Sequence, residues 1–218
     1  TRGVPMPPGA VRDPAKVRVV NKAGKVLPSA GKVLQKRPDG SIEWLLMDIL
    51  APLGGQEKTS IFVEPVPGKQ PPVRKPVKLL KQGRRLTLTN GISAVTVSSE
   101  AGSLVRKLVV NGKTLVDEGM LVDLECVDGG GKIHRASLTG GYKVTVPHRN
   151  PLRTVVMLEG KHKARDGATF MDFALRFTLT ANSPDVKVEH TFYCREPREG
   201  KIAIRSMELV MPTTMDSD

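Results

Sequence analysis

Three short stretches of the chain place a histidine or a tyrosine beside a basic side chain, a pairing that suits general acid–base chemistry. They are His148 with Arg149, Tyr142 with Lys143, and Tyr193 with Arg195 two positions further on. A His, Tyr or Lys side chain can remove a proton next to an anionic group. A neighbouring cation can stabilise the charge that develops there. No spacing in the sequence fixes three of these groups in one site, so the catalytic residues stay open.

His190 occurs inside a strand pattern instead of a turn. Val186, Val188, His190 and Phe192 share one face of that pattern, because successive side chains of a strand point to opposite sides. A histidine in an apolar stripe can be a core residue whose ring nitrogens are satisfied, or it can contact a substrate. The pattern favours the core, and the contact stays open as an alternative.

The opposite faces of the same strand pair carry polar side chains. Arg176, Lys187 and Tyr193 lie there and either meet an acidic sugar or face water. We therefore keep one set of candidate substrate-binding residues, which consists of His148, Arg149, Arg176, Lys187, His190 and Tyr193.

Three further residues have side chains that could contact a substrate, but their sequence patterns favour other roles. Trp44 alternates with Ile42 and Leu46, so we expect it in a core and not as a platform for a sugar. His134 and His162 have basic neighbours, so we expect both to be solvated.

The cysteines and histidines give no metal signal. The chain has no CxxC, no HExxH and no other metal-ligand spacing, so we expect neither a metal nor another cofactor. Cys126 and Cys194 fall on apolar sides of strand patterns, which favours buried thiols over a disulfide.

Positive charge is concentrated in the first part of the chain. Residues 1–83 contain 15 Lys and Arg against 6 Asp and Glu, within a net charge of +12. Such a surplus suggests nucleic acid, anionic lipid or acidic polysaccharide as a partner, or only a solvated surface. Few aromatic residues are available for base stacking, which disfavours nucleic acid. The basic residues expected to contact a glycan include Lys32, Lys36, Arg37, Arg74 and Lys75.

Strand patterns with period two fill the sequence, and no segment has a helical period. The pair Asp39-Gly40 predicts a tight hairpin turn, "PLGGQ" at 52–56 another turn, and Asn111-Gly112 a further hairpin. Residues 64–76 contain five prolines, which predict an extended connector. We expect domains at 1–66 and 77–218 joined by a linker at 67–76. No apolar run approaches the roughly 18 residues of a membrane helix, so we expect no membrane span.

Two pairs of stretches resemble the exo-rhamnogalacturonan lyase (YetA-like) family. "RGVPMPPGAV" (2–11) and "RPDGSIEWLLMDILAP" (37–52) resemble its opening RIFT-type barrel. The matching positions are Gly3, Pro5, Pro7 and Gly9 of a G-x-P-x-P-x-G entry, and Asp39, Gly40, Ser41 and Trp44 of a D-G-S-x-x-W-L-L strand. "NPLRTVVMLEGKH" (150–162) and "LRFTLTANSPDVKVEHTF" (175–192) resemble its central β-sandwich.

The resemblance implies an all-β chain in which a small RIFT-type barrel precedes a large antiparallel sandwich. It also implies a helical toroid downstream, which this sequence lacks. We expect the chain to be a fragment, and a missing C-terminal region or another chain to complete the site.

The predicted function is that of the β-rich part of a carbohydrate-active protein, resembling lyases that cleave uronate-containing glycans by β-elimination. We expect no activity from this part alone, and whether it is an enzyme stays open. The alternative is a non-catalytic binding or structural module, surface- or phage-associated, that recognises an anionic polymer. The expected location is extracellular or periplasmic, with the cytoplasm also open.

Overall fold

The protein is all-β, as the sequence predicts. A computed structural model describes residues 1–52, 58–194 and 202–214. Within these ranges the regular elements are β-strands and two short 3₁₀ turns, Pro14–Lys16 and Ala136–Leu138. Most of the predicted turn at 52–56, and Arg195, lie outside the described residues. No helix in the described part of the chain is long and apolar enough to cross a membrane.

The chain forms two compact units. The first contains Thr1–Pro76 together with Asn150–Leu152, and the second contains Val77–Arg149 and Arg153–Asp218. The proline-rich segment at 67–76 therefore clusters with the first unit.

The first unit is built from two antiparallel three-stranded sheets, with strand orders β1-β5-β4 and β3-β2-β6. Their buried side chains form one core that includes Val19, Leu27, Ile42, Leu45 and Met47. The strands are β1 (Arg2–Pro5), β2 (Arg18–Asn21), β3 (Val26–Leu27), β4 (Ser29–Lys36), β5 (Ile42–Ile49) and β6 (Ile61–Glu64).

The Asp39-Gly40 pair closes the hairpin between β4 and β5, which confirms the predicted turn. Gly40 has a φ of 80°, a conformation that glycine adopts without steric cost. The Asp39 carboxylate accepts hydrogen bonds from the backbone N–H and the hydroxyl of Ser41, at 2.9 and 2.7 Å. Both bonds lower the pKa of Asp39, and the bond from the Ser41 hydroxyl has the larger effect.

Trp44 lies on the surface, so the prediction that it is a core residue is wrong. Its side chain is 41% exposed, whereas Leu45 is fully buried. The reason is a β-bulge. Trp44 pairs with Gln35 and Ile42 pairs with Lys36, which leaves Glu43 as an extra residue in β5. An extra residue reverses the alternation, so Ile42 and Trp44 point to opposite sides.

The second unit is an antiparallel β-sandwich of a five-stranded and a seven-stranded sheet. The five-stranded sheet has the order β11-β10-β9-β8-β7. The other has the order β17-β16-β15-β13-β12-β18, and β14 also pairs with β15. The strands are β7 (Lys78–Gln82), β8 (Arg85–Thr89), β9 (Ala94–Ser98), β10 (Lys107–Val110), β11 (Lys113–Val116), β12 (Asp123–Asp128), β13 (Ile133–Arg135), β14 (Lys143–Arg149), β15 (Arg153–Lys163), β16 (Thr169–Thr180), β17 (Val186–Tyr193) and β18 (Ile204–Val210).

Alternating apolar side chains and one buried asparagine hold this unit together. Leu88 of the five-stranded sheet is fully buried, as are Leu158, Phe173 and Leu175 of the seven-stranded sheet. Asn90 connects the sheets, because its amide nitrogen donates to the carbonyl oxygens of Thr180, the last residue of β16, at 2.8 Å and of Ser183 at 2.7 Å. The two sheets, which carry the candidate polar groups, are thereby held around one core.

Candidate functional site

One face of the seven-stranded sheet collects charged and aromatic side chains from four neighbouring strands. The antiparallel register places Arg176 beside Glu189 and Asp172 beside Tyr193. It also places Glu159 beside Lys143 and Lys161 beside Asp172. We call this surface the charged face, and its members are Lys143, Glu159, Lys161, Asp172, Arg176, Lys187, Glu189 and Tyr193.

The charges of this face are arranged in pairs. Lys143 Nζ lies 3.2 Å from Glu159 Oε2, and Lys161 Nζ lies 3.4 Å from Asp172 Oδ1. A further ion pair lies along β17, where Lys187 Nζ is 2.9 Å from Glu189 Oε1. Hydrogen-bond donors and acceptors therefore alternate over the surface.

Arg176 is held by a hydroxyl group on this face. Its Nη1 donates to Thr191 Oγ1 at 3.0 Å, across the β16–β17 pair. This bond holds the guanidinium on the side of β17. On the other side, Arg176 lies in register with Met157 of β15, so it occupies the middle of the charged face.

A groove of about 240 Å³ opens beside Tyr193. Two ion pairs border it, Lys143 with Glu159 and Lys161 with Asp172. The structure thus brings three of the predicted binding residues, Arg176, Lys187 and Tyr193, to one surface. It also places there a groove whose other polar groups sequence reasoning missed.

His190 lies on the other side of the same strand and faces the sheet core. It is half-buried, and burial lowers its pKa, with a smaller effect from nearby His162. It is therefore not brought together with Arg176, Lys187 and Tyr193.

The prediction that His134 and His162 are solvated is wrong. His134 is 3% exposed, its Nε2 lies 3.0 Å from Asp128 Oδ2, and its ring stacks on Phe170. His162 is fully buried, and burial lowers its pKa. Basic sequence neighbours were misleading here, because adjacent residues of a strand point to opposite faces.

The remaining predicted residues lie in and beside β14. His148 is buried at the C-terminal end of this strand, whereas the polar residues after it, Asn150-Pro151, predict a turn. Arg149 is exposed and lines a separate cleft near β7 and β8. Tyr142 is buried, its hydroxyl donates to the Gly102 carbonyl, and burial raises its pKa, so its role is structural.

The basic residues expected to bind a glycan from the first unit differ in their environments. Arg37 is a structural residue, because its two terminal nitrogens donate to the carbonyl oxygens of Ile42 and Met6, each at 2.7 Å. Lys36, Arg74 and Lys75 are exposed.

No cluster of three or more metal-ligating side chains occurs among the described residues. Cys126 is buried and Cys194 half-buried, and neither forms a disulfide in the described part of the chain.

Comparison with known proteins identifies the sandwich. The family described as "PcRGLX-like protein central beta sandwich domain" matches residues 77–218, which is most of the chain. The chain belongs to this family. The matched range begins at Val77, the first residue of the second unit.

A longer bacterial relative covers both units. The chain is 23% identical over 197 residues to the "Uncharacterized protein YetA" of Bacillus subtilis (strain 168), and 88% of the chain is aligned. It spans about a fifth of the length of that relative, 22%. The predicted resemblance to a YetA-like, rhamnogalacturonan lyase-like family is thus confirmed.

Part of the charged face of this PcRGLX-like sandwich could have been found in the sequence. In "MLEGKHK", Glu159 and Lys161 alternate with Leu158, Gly160 and His162, so their common face was visible. Their partners Lys143 and Asp172 come from other strands, and only the register shows that they are neighbours.

Proposed function

We propose that this PcRGLX-like chain is the substrate-recognising β part of a carbohydrate-active protein that acts on a uronate-containing glycan. The observation that carries the proposal is the charged face with its groove beside Tyr193. Membership of the family supports the class of substrate. Because such polymers lie outside the cytoplasm, we propose an extracellular or periplasmic location.

The chemistry of the charged face suits a sugar polymer. Sugar hydroxyl groups both donate and accept hydrogen bonds, and the face offers ammonium donors next to carboxylate acceptors at 2.9–3.4 Å. An aromatic side chain, Tyr193, borders the groove and can pack against an apolar sugar face. The guanidinium of Arg176 can bind a uronate carboxylate through two nitrogens.

Elimination requires more than this face supplies. The base must reach the proton next to the carboxylate, while cations or donors neutralise the developing charge. Lys143, Lys161 and Lys187 are each ion-paired with a carboxylate of the same face. We therefore propose that the β part binds substrate and that further groups, from a C-terminal region or another chain, complete the catalytic site.

Affinity electrophoresis tests the binding proposal. The 218-residue chain is run in gels that contain polygalacturonate, its carboxyl-reduced form, a neutral glucan or single-stranded DNA, at two salt concentrations. We expect retardation by polygalacturonate that weakens as salt rises, because exposed charges are screened within about 10 Å at 0.1 M salt. Equal retardation by DNA would reduce the effect to general electrostatic attraction and contradict the proposal.

Variants locate the binding surface. Arg176→Gln combined with Tyr193→Ala is expected to weaken the retardation, because the pair of changes removes the guanidinium and the aromatic ring. Lys113→Gln, which removes an exposed charge at the edge strand β11 of the other sheet, serves as the control. Equal retardation of the double variant and the control would show that the charged face is not the binding surface.

The ion pairing also favours the second candidate function, a non-catalytic binding module. Paired lysines recognise hydroxyl groups well but leave no uncommitted ammonium on the charged face. A protein that binds polygalacturonate but, as part of its full-length parent, releases no unsaturated product would be such a module.

A further inference from the structure

A second, larger cleft lies in the sandwich unit and shares no lining residue with the groove beside Tyr193. It has a volume of about 680 Å³ and lies between β14 and the hairpin of β7 and β8. Three basic side chains line it, Lys81, Arg84 and Arg149. Leu79, Leu86 and Val146 contribute apolar walls. We call this site the cationic cleft.

The charges of the cationic cleft are unbalanced. No Asp or Glu is present among the described residues that line it. The side chains of Lys81, Arg84 and Arg149 are all exposed, and none makes a hydrogen bond or ion pair with a described residue. Their neighbours differ, because Arg85 pairs with Glu118 and Lys143 pairs with Glu159.

Backbone structure holds these three cations around one space. Arg84 occupies the turn between β7 and β8, next to Gly83 with its φ of 57°. The carbonyl of Arg84 accepts from the N–H of Ser99, and the carbonyl of Ser99 accepts from the N–H of Tyr142, at 3.1 and 3.0 Å. This chain of two bonds links the β7–β8 turn to the start of β14. The backbone positions from which these side chains reach the cleft are therefore set by the fold.

One buried polar atom in the cleft also needs a partner. Thr145 lines the cleft, and its Oγ1 is buried without a hydrogen-bond partner among the described residues. A buried hydroxyl without a hydrogen-bond partner is unfavourable, because it has lost its bonds to water. A ligand oxygen bound at this wall would satisfy it.

We propose that the cationic cleft binds a carboxylate-bearing segment of an acidic oligosaccharide and forms a glycan subsite separate from the charged face. Two guanidinium groups match the planar carboxylate, and Lys81 adds a third positive charge. The apolar walls suit the C–H face of a sugar ring. The cleft has no aromatic side chain among its described lining residues, so it cannot stack nucleic-acid bases. The choice of an acidic sugar rests on the proposed function, whereas the preference for an anion follows from the cleft itself.

Calorimetric titration of the 218-residue chain tests this subsite. The probes are an oligogalacturonate, its carboxyl-reduced form, inorganic phosphate and a short oligothymidylate. The variants are Arg84→Gln, Arg149→Gln and a triple variant that also carries Lys81→Gln. Arg85→Gln and Lys113→Gln are the matched controls, since each removes one positive charge from the same five-stranded sheet outside the cleft.

We expect each single arginine variant to weaken oligogalacturonate binding about threefold to tenfold, and the triple variant about thirtyfold or more, because each side chain supplies a charge-assisted contact that its exposure to solvent weakens. The controls should change affinity less than about twofold, as exposed charge pairs contribute little. Thermal melting of every variant verifies that it is folded.

The outcomes separate the subsite from the proposed function. If wild type binds oligogalacturonate and the triple variant binds it as tightly as the controls do, the subsite is wrong while glycan binding stands. If wild type binds no uronate, the proposed function and the glycan subsite both fail. If the triple variant loses oligothymidylate or phosphate binding as strongly as uronate binding, the cleft is a general anion site and the glycan assignment is overturned.

Discussion

His162 and His190 lie edge to face on the buried side of the seven-stranded sheet, with ring centroids 6.1 Å apart and ring planes inclined by 61°. Nδ1 of His162 is 3.1 Å from the Met171 carbonyl oxygen, so this nitrogen carries the proton and donates it. The Nε2 atoms of both rings are buried without a hydrogen-bond partner among the described residues. The histidine of β17 is therefore half-buried against the core, although Val188 and Phe192 on the same face of the strand are exposed.

This pair predicts acid sensitivity. Burial lowers the pKa of both histidines below their ordinary value of 6.5. The unfolded chain then binds more protons than the folded chain as the pH falls through about 6.5, so the free energy of unfolding decreases on acidification. We expect His190→Gln to reduce this decrease between about pH 7 and pH 5. Urea unfolding at several pH values measures it, and identical pH profiles for variant and wild type would contradict it.

Gly160 is required by the packing of Phe173. A Cβ at position 160 would lie 2.9 Å from two ring carbons of Phe173, closer than core atoms approach. Since Phe173 is fully buried, the ring has no free space to enter. We expect Gly160→Ala to lower the free energy of unfolding by about 1–3 kcal/mol. Gly140→Ala is the control, because a Cβ there meets nothing within 4 Å; an equal loss in both variants would refute the steric explanation.

Asn90 is expected to be a strong determinant of stability. Besides its two donor bonds, its Oδ1 accepts from the N–H groups of Ile92 and Ser93, each at 3.0 Å. Asn90→Ala leaves these groups without their partner in a buried place, which should cost about 2–4 kcal/mol. Asn21→Ala removes a similar pair of bonds at an exposed turn and should cost less. Denaturant unfolding compares the two, and equal losses would show that burial is not decisive.

Trp44 and Leu45 should respond differently to truncation although they are neighbours. Leu45→Ala is expected to cost about 2–5 kcal/mol, because it empties a fully buried position. Trp44→Ala should cost about 1 kcal/mol or less, because the indole is 41% exposed. Urea unfolding, followed by circular dichroism, measures the loss of stability in each variant. A larger loss for Trp44→Ala than for Leu45→Ala would contradict the prediction.

The 218-residue chain is expected to release no unsaturated product from rhamnogalacturonan or another uronate polymer. The lysines of its charged face are ion-paired, and we propose that catalysis needs groups from elsewhere. Ultraviolet absorbance over several hours, with an active lyase as positive control, measures the product. Robust turnover by this chain would overturn the interpretation that it is incomplete.

The all-β architecture was predictable because strand alternation and turn chemistry are local. The period-two pattern predicted most strands, and Asp39-Gly40 predicted the hairpin that Gly40 closes with its positive φ. The face of β17 on which His190 lies also followed from the alternation, although Val188 and Phe192 on that face are exposed. These features depend on residues close in sequence.

Burial depends on what covers a face, which alternation does not show. His162 is fully buried because it shares the covered face with Phe173, although its sequence neighbours are lysines. Trp44 is exposed because one bulge residue, Glu43, reverses the alternation of β5. A local irregularity in the pairing of β4 and β5 therefore changed the interpretation of a motif residue.

The candidate sites were determined by tertiary structure. Arg176, Lys187 and Tyr193 were recognisable as an outward-facing set from the sequence, but the groove beside Tyr193 requires strands that are paired through space. The cationic cleft joins Lys81 and Arg84 of one sheet to Arg149 of the other, more than 60 residues later in the chain. Sequence alone determined which side chains could point outward, because side-chain direction is set by local backbone geometry. Only the folded sheets decided which of them meet, because register and sheet packing are set by contacts between distant segments.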